Sequence, residues 1–136
     1  MKFTLYRLAG GALLVGLGLG AMTAPEDVRH TLGISVAVAS LFLLVLSRVH
    51  LGSSFAIRPQ ARALVTKGIY ARIQHPLYLF LDLMLWGLIV YFDWPLAFIA
   101  WAVLLLVHVM EARHEERLLR SAFGQSYDTY QSHTWF

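Results

Sequence analysis

Leu64-Val65-Thr66-Lys67-Gly68-Ile69-Tyr70-Ala71-Arg72-Ile73-Gln74-His75-Pro76-Leu77-Tyr78 is the one polar, motif-dense segment in a chain otherwise dominated by apolar runs. Lys67, Arg72, Tyr70 and Tyr78 crowd around His75-Pro76, and a new apolar run begins at once. Proline is tolerated in the first turn of a helix, because the backbone N–H it lacks would have no partner there. Pro76 therefore reads as the first residue of a membrane helix. His75 stands at its mouth, where the positive end of the helix dipole favours anionic groups. The segment reads as a cofactor-binding stretch at the membrane surface, with the rest of the chain as its walls.

Working outward, composition sets the class. The 136 residues are 58% hydrophobic and only 14% charged, where soluble domains carry about 25% charge. The chain is therefore an integral membrane protein, and its length suits one domain over 1–136. The absence of cysteine excludes disulfides, a thiolate nucleophile and any Cys metal site. No nucleic-acid partner is expected; the partners are the lipid bilayer and a lipophilic substrate.

A membrane span needs about 20 mostly apolar residues. Four candidates follow, at about 5–22, 32–49, 76–92 and 96–110. The first loosely imitates a secretory signal, with Lys2 and Arg7 before the apolar run and Ala21-Met22-Thr23-Ala24 after it. The run is as long as a full span, so it reads as a retained helix. Its Ala12, Gly16 and Gly20 recur every four residues and form a smooth stripe on which a second helix, or a second copy of the chain, can pack closely. Asp93-Trp94-Pro95 is a tight turn that makes spans three and four a hairpin. The fourth helical pattern continues past the apolar run, through Glu111 to about Ser121, and so projects into water. Phe123-Gly124 stops it, a short amphipathic piece follows around Tyr127 and Tyr130, and Trp135-Phe136 can anchor at the interface.

The N-terminus carries two Lys or Arg, the first loop one (Arg29), the 51–75 connection with its flanking Arg48 five, the third loop none and the C-terminal tail three. The positive-inside rule puts both termini, the His75 segment and the charged end of the last helix on the cytoplasmic side. In a bacterium the membrane would be the inner one. The expected architecture is all-α, four transmembrane helices under a cytoplasmic cofactor-binding cap made of the 51–75 connection and the C-terminal helix 111–121.

His75, Tyr78, Leu79 and Asp82 share one side of the third helix. Asp82 lies nearly two turns inside the span, where an ionisable group lines a cavity or bonds a neighbouring helix. It is the candidate residue on the substrate side, with Ser35, Ser40 or an arginine as the structural alternative. His108, Glu111 and Glu115 form a second stripe beside Glu116. Glu111-x-x-His114 has the spacing of di-iron helical bundles, which need a second such motif; with none in the sequence, no metal is assigned.

Leu51-Gly52…Phe55, Leu64-Val65-Thr66-x-Gly68-x-Tyr70-(x)4-His75-Pro76-x-Tyr78 and Glu115-Glu116-x-x-Leu119…Phe123-Gly124-x-x-Tyr127-x-x-Tyr130 together resemble the isoprenylcysteine carboxyl methyltransferase and phospholipid methyltransferase superfamily. The resemblance covers about 51–130, with both family motifs in order. It implies S-adenosylmethionine as methyl donor, held by Val65, Gly68, Tyr70, His75, Pro76, Tyr78, Glu115 and Glu116. Three positions depart from the family pattern: Ile69 replaces the proline after the glycine, Ala71 the arginine after the tyrosine, and Gln74 the arginine before His-Pro. The implied activity is methyl transfer to an isoprenylcysteine-like or phospholipid-like acceptor, with no single catalytic residue named. No evident base for deprotonating an amine stands out in the sequence. The competing readings are a non-catalytic membrane protein, such as a transport subunit or assembly factor, and a family member that has lost activity.

Overall fold

The computed structural model describes residues 2–52, 64 and 66–134, with side chains from Tyr6 onward. Residues 53–63, Val65 and Trp135-Phe136 lie outside the described residues. The elements are α1 (Lys2–Ala21), α2 (Glu26–Leu51), a 3-10 turn (Gly68–Ala71), α3 (Pro76–Phe92), α4 (Ala97–Phe123) and α5 (Gln125–Ser132). All are helical; among the described residues there is no strand.

Local chemistry sets the helix ends. Pro25 precedes α2, Glu26 and Asp27 fall in its first turn, and Arg48 and His50 in its last, each charge opposing the helix dipole. α2 therefore starts at Glu26, a turn and a half before the apolar run at Leu32, because the proline and the acidic turn mark the helix start and hydropathy marks only its apolar part. Pro76 is in the first turn of α3, and that helix ends on Asp93 in the left-handed conformation, φ 56°. α4 runs unbroken from its apolar half into its charged half and stops at Gly124, φ 51°.

The helices alternate in direction. At one end of the bundle Arg29 of α2 meets Asp93 at the foot of α3, 3.5 Å away. At the other end Arg7, His75 and Glu116 bring together the start of α1, the start of α3 and the charged half of α4. The core between them is aromatic: Trp86 and Val90 of α3 against Phe98 and Trp101 of α4, with Leu14 and Val15 of α1 beside them. Each buried indole still needs an acceptor for its N–H. Trp86 Nε1 donates to the Leu14 carbonyl at 2.7 Å and Trp101 Nε1 to the Asp82 carbonyl at 2.9 Å. These bonds tie α1 to α3 and α3 to α4.

The closest backbone approach is between α2 and α3. A Cβ on Gly33 would stand 2.6 Å from the Tyr91 backbone nitrogen, and one on Gly87 would stand 2.7 Å from both the Ala37 nitrogen and the Gly33 carbonyl. α1 uses a different glycine pair from the expected stripe. Gly11 packs on Leu105 and Gly18 on Phe98, whereas Ala12, Gly16 and Gly20 are exposed and none of the described residues lies against Gly16 or Gly20. The i, i+7 pair faces α4 because the aromatic core sits there; the i, i+4 stripe points away from it.

The outside of the bundle is apolar. Leu17, Phe42, Val45, Ile99 and Val103 are all exposed, Phe42 to 68%. Soluble monomers rarely show such continuous apolar surface. α2 and α4 are long and apolar enough to cross a membrane, and Tyr6–Ala21 and α3 are shorter apolar helices. The chain is membrane-associated.

Gly87→Leu drives a side chain into the α2 backbone and is expected to cost about 1–3 kcal/mol, read as a lowered midpoint in denaturation of the detergent-solubilised protein. Gly20→Ala, at a position with open space around it, is expected to leave the midpoint unchanged.

Candidate functional site

The first turn of α3 and the charged half of α4 converge on His75. Its Nδ1 lies 3.4 Å from Glu115 Oε2 and its Nε2 3.3 Å from Glu116 Oε1. Both ring nitrogens thus face carboxylates, and the ring is only 10% exposed. Arg7 of α1 reaches the same Glu116 oxygen at 2.9 Å, as an ion pair whose N–H is not aligned as a hydrogen bond. Burial, and to a lesser degree the Arg7 charge, push the imidazole down, but the hydrogen bonds of Glu115 and Glu116 and the charge of Glu115 outweigh them and hold His75 above its usual 6.5. Glu116 lies past the apolar half of α4. Burial pushes it up; the hydrogen bond to His75 and the charges of Arg7 and His75 prevail and hold it below 4.5.

From this cluster a column of rings descends into the bundle. Tyr78 stacks on His75 at 5.9 Å between centroids and on His108 at 5.0 Å. His108 Nδ1 then meets Asp82 Oδ1 at 3.0 Å. The column borders a cavity of about 290 Å³ between α1, α3 and α4, lined by Arg7, Gly10, Gly11, His75, Tyr78, Leu79, Asp82, Leu105, His108 and Ala112. The cavity is charged at the His75 end and apolar below, apart from the Asp82–His108 pair.

α5 folds back on the polar segment and closes the top. The Tyr130 hydroxyl donates to the Tyr70 carbonyl at 2.7 Å, and Gln74 Nε2 donates to Thr134 Oγ1 at 2.6 Å. Arg120 of α4 holds α5 in place through Asp128 at 2.9 Å and Gln131 at 2.6 Å. Burial, then the nearby Glu115 charge, raises the Tyr70 hydroxyl well above its usual range, and the same two causes push Tyr130 up to about 12.

Of the nominated residues, His75, Tyr78 and Asp82 line the cavity, and Glu115 and Glu116 meet His75 without lining it. Pro76 is fully buried behind them. Tyr70 is buried beside the cluster, under α5. Gly68 turns with φ 63° against the His50 ring, where a Cβ would lie 2.9 Å from Nδ1, so glycine is needed there for both conformation and space. Val65 is outside the described residues. Asp82 lines the cavity and also bonds a neighbouring helix, where its partner is His108 of α4 in place of the expected Ser35, Ser40 or arginine. Helical spacing shows which residues share a face and cannot show which face of another helix meets it. Glu111 and His114 are both exposed.

Three participants were not visible in the sequence. Arg7 had one signal, a cation at the start of the first apolar run. Thr134 had none. His108 appeared only as a member of a stripe, because its partner lies 26 residues away on another helix.

The family model for phospholipid methyltransferases matches residues 28–126, from the first turn of α2 into α5. It includes every residue of the ring column and both glutamates, and stops short of Arg7 on α1. No curated protein and no solved structure matches the chain.

The His75 cluster makes stability depend on pH in a set direction. A raised imidazole stabilises the fold fully below 6.5 and loses that contribution as pH rises through its folded value. A lowered Glu116 contributes above 4.5 and loses its share as pH falls through its folded value. Melting temperature in detergent is expected to peak between these limits and to decline above pH 6.5. His75→Ala is expected to flatten that alkaline decline.

Proposed function

The chain belongs to the phospholipid methyltransferase family, and from that premise we propose that it transfers a methyl group from S-adenosylmethionine to a lipophilic, lipid-tailed acceptor at the cytoplasmic face of the membrane. In this reading α1, α2, α3 and α4 all span, with α3 and α1 as the short members, and both termini are cytoplasmic. The His75 end of the cavity then opens toward the cytosol, where a charged donor is available, and the acceptor's tail lies among the exposed apolar helix faces.

The observation that carries the proposal is the meeting of His75 and Arg7, which line the polar end of the cavity, with Glu115 and Glu116 just behind them, from three helices and both family motifs. The residues present fit the donor. Glu115, 36% exposed, offers carboxylate oxygens to ribose hydroxyls or to the donor's ammonium. When bound, the donor supplies a methyl group already activated by the sulfonium charge. The chain's own task is alignment: acceptor atom, methyl carbon and sulfur must fall in line, and fixed placement lowers the barrier without any covalent step by the protein. The helix walls around the cavity keep water from the reacting groups.

His75→Ala and Glu116→Gln are expected to weaken S-adenosylhomocysteine binding at least tenfold, measured by calorimetric titration of the detergent-purified protein and repeated in nanodiscs. A folded wild-type protein without affinity for that ligand would return the chain to a non-catalytic role.

A further inference from the structure

Arg7 lies in the second turn of α1, at the start of an apolar run, and reaches across to α4. Its guanidinium stands 2.9 Å from Glu116 Oε1, the same oxygen that His75 Nε2 approaches at 3.3 Å. Both side chains of this ion pair are mostly buried. α1 has no need of a charge to stay in the bundle. Gly11 packs on Leu105, Gly18 packs on Phe98, and the Leu14 carbonyl accepts the Trp86 indole N–H. An ion pair adds little to such packing, since taking charges out of water offsets most of their attraction.

Charge balance gives Arg7 its role. Glu115 and Glu116 place two carboxylates around one imidazole, and Arg7 supplies the cation that balances the second of them when His75 is protonated. The contacts also separate the two glutamates. One oxygen of Glu116 is committed to both Arg7 and His75, whereas Glu115 is 36% exposed. Glu116 is therefore the carboxylate that fixes the ring, and Glu115 the one left to meet a ligand. The matched family segment begins at residue 28, so it holds His75 and both glutamates but not this cation.

We propose that Arg7 is a positioning residue of the methyl-donor site, acting through Glu116 on His75, and that α1 is thereby part of that site although it lies outside the matched family segment. The assignment rests on the methyltransferase reading above. Its action is electrostatic and so has a direction. Burial raises Glu116 and lowers His75; on top of that, the Arg7 charge lowers both. Without Arg7, both groups take up their protons at higher pH. Donor binding that needs an ionised Glu116 beside a protonated His75 then moves as a whole to higher pH. The other groups facing this pair are Glu115 and Arg120 from α4, Tyr78 from α3, Tyr70 from the 3-10 turn, and Tyr127 and Tyr130 from α5, with Tyr6 beside Arg7 on α1. Burial raises the hydroxyls of Tyr70, Tyr127 and Tyr130, so they stay neutral up to pH 9.

The test is calorimetric titration of S-adenosylhomocysteine into the full chain in nanodiscs, from pH 5 to pH 9, with wild type, R7Q and R7K. The ligand's own amine titrates alike in all three. On the acid side R7Q is expected to bind about tenfold more weakly than wild type, the usual effect of taking an opposite charge away from a carboxylate. That loss is expected to shrink as pH rises. R7K keeps the charge and is expected to keep the wild-type profile. Melting temperature without ligand is expected to follow, with the alkaline decline of R7Q displaced to higher pH. R7M carries the same comparison if R7Q does not fold. A loss of equal size at every pH overturns the assignment and marks a structural pair. So does an R7Q profile equal to wild type, or an R7K profile equal to that of R7Q, which would mean that charge is not what acts. A wild type that binds no S-adenosylhomocysteine removes the methyltransferase reading first, and this assignment with it; a wild type that binds beside an unshifted R7Q profile removes this assignment alone.

Discussion

An imidazole held between two carboxylates is the contact on which the rest of this molecule depends. His75 is bound at both ring nitrogens by Glu115 and Glu116, and Arg7 closes the group from α1. Such a group is costly to bury and still more costly to leave incomplete; removing one partner of a buried ion pair typically costs about 3–5 kcal/mol. The cluster therefore sets how far α3 slides along α4. That register decides everything below it: one turn down Tyr78 meets His108, and one further turn brings Asp82 to the same imidazole. A shift of one residue would turn Asp82 away from His108 and leave a carboxylate unpaired among apolar side chains.

The two faces of α3 do different work. Toward α2 it presents Gly87, and the backbones approach so closely that neither Gly33 nor Gly87 has room for a Cβ. Toward α1 and α4 it presents the ring column and a cavity of about 290 Å³. α2 contributes no lining residue among those described; it backs α3 and holds it in place. The walls that matter to chemistry are α1, α3 and α4, with a rigid contact on one side of α3 and open space on the other.

The polar roof meets the Gln74 segment through neutral hydrogen bonds and α4 through the Arg120–Asp128 ion pair. Gln74 stands where the related motif carries arginine. It is 7% exposed, and its amide bonds to Thr134, so α5 docks on the segment without a buried cation. The cation at the carboxylates comes instead from Arg7 of α1.

Much of the fold was already determined by local chemistry in the sequence. Pro25 and Pro76 start helices because a missing N–H costs nothing there. Gly124 ends one where a positive φ is needed, and the apolar runs fix which segments are helical in a lipid environment. Helical spacing likewise placed His75, Tyr78 and Asp82 on one face, and the paired motifs joined that face to Glu115 and Glu116. What the sequence could not determine was which faces of different helices meet. The Asp82–His108 pair, the reach of Arg7 to Glu116, the choice of Gly11 and Gly18 over Gly16 and Gly20, and the Gln74–Thr134 bond all depend on the rotation and axial offset of one helix against another. Those quantities are set by packing of the Trp86, Phe98 and Trp101 core and by the glycine contact of α2 with α3. They are sums over many long-range contacts, and no single stretch of the chain contains them.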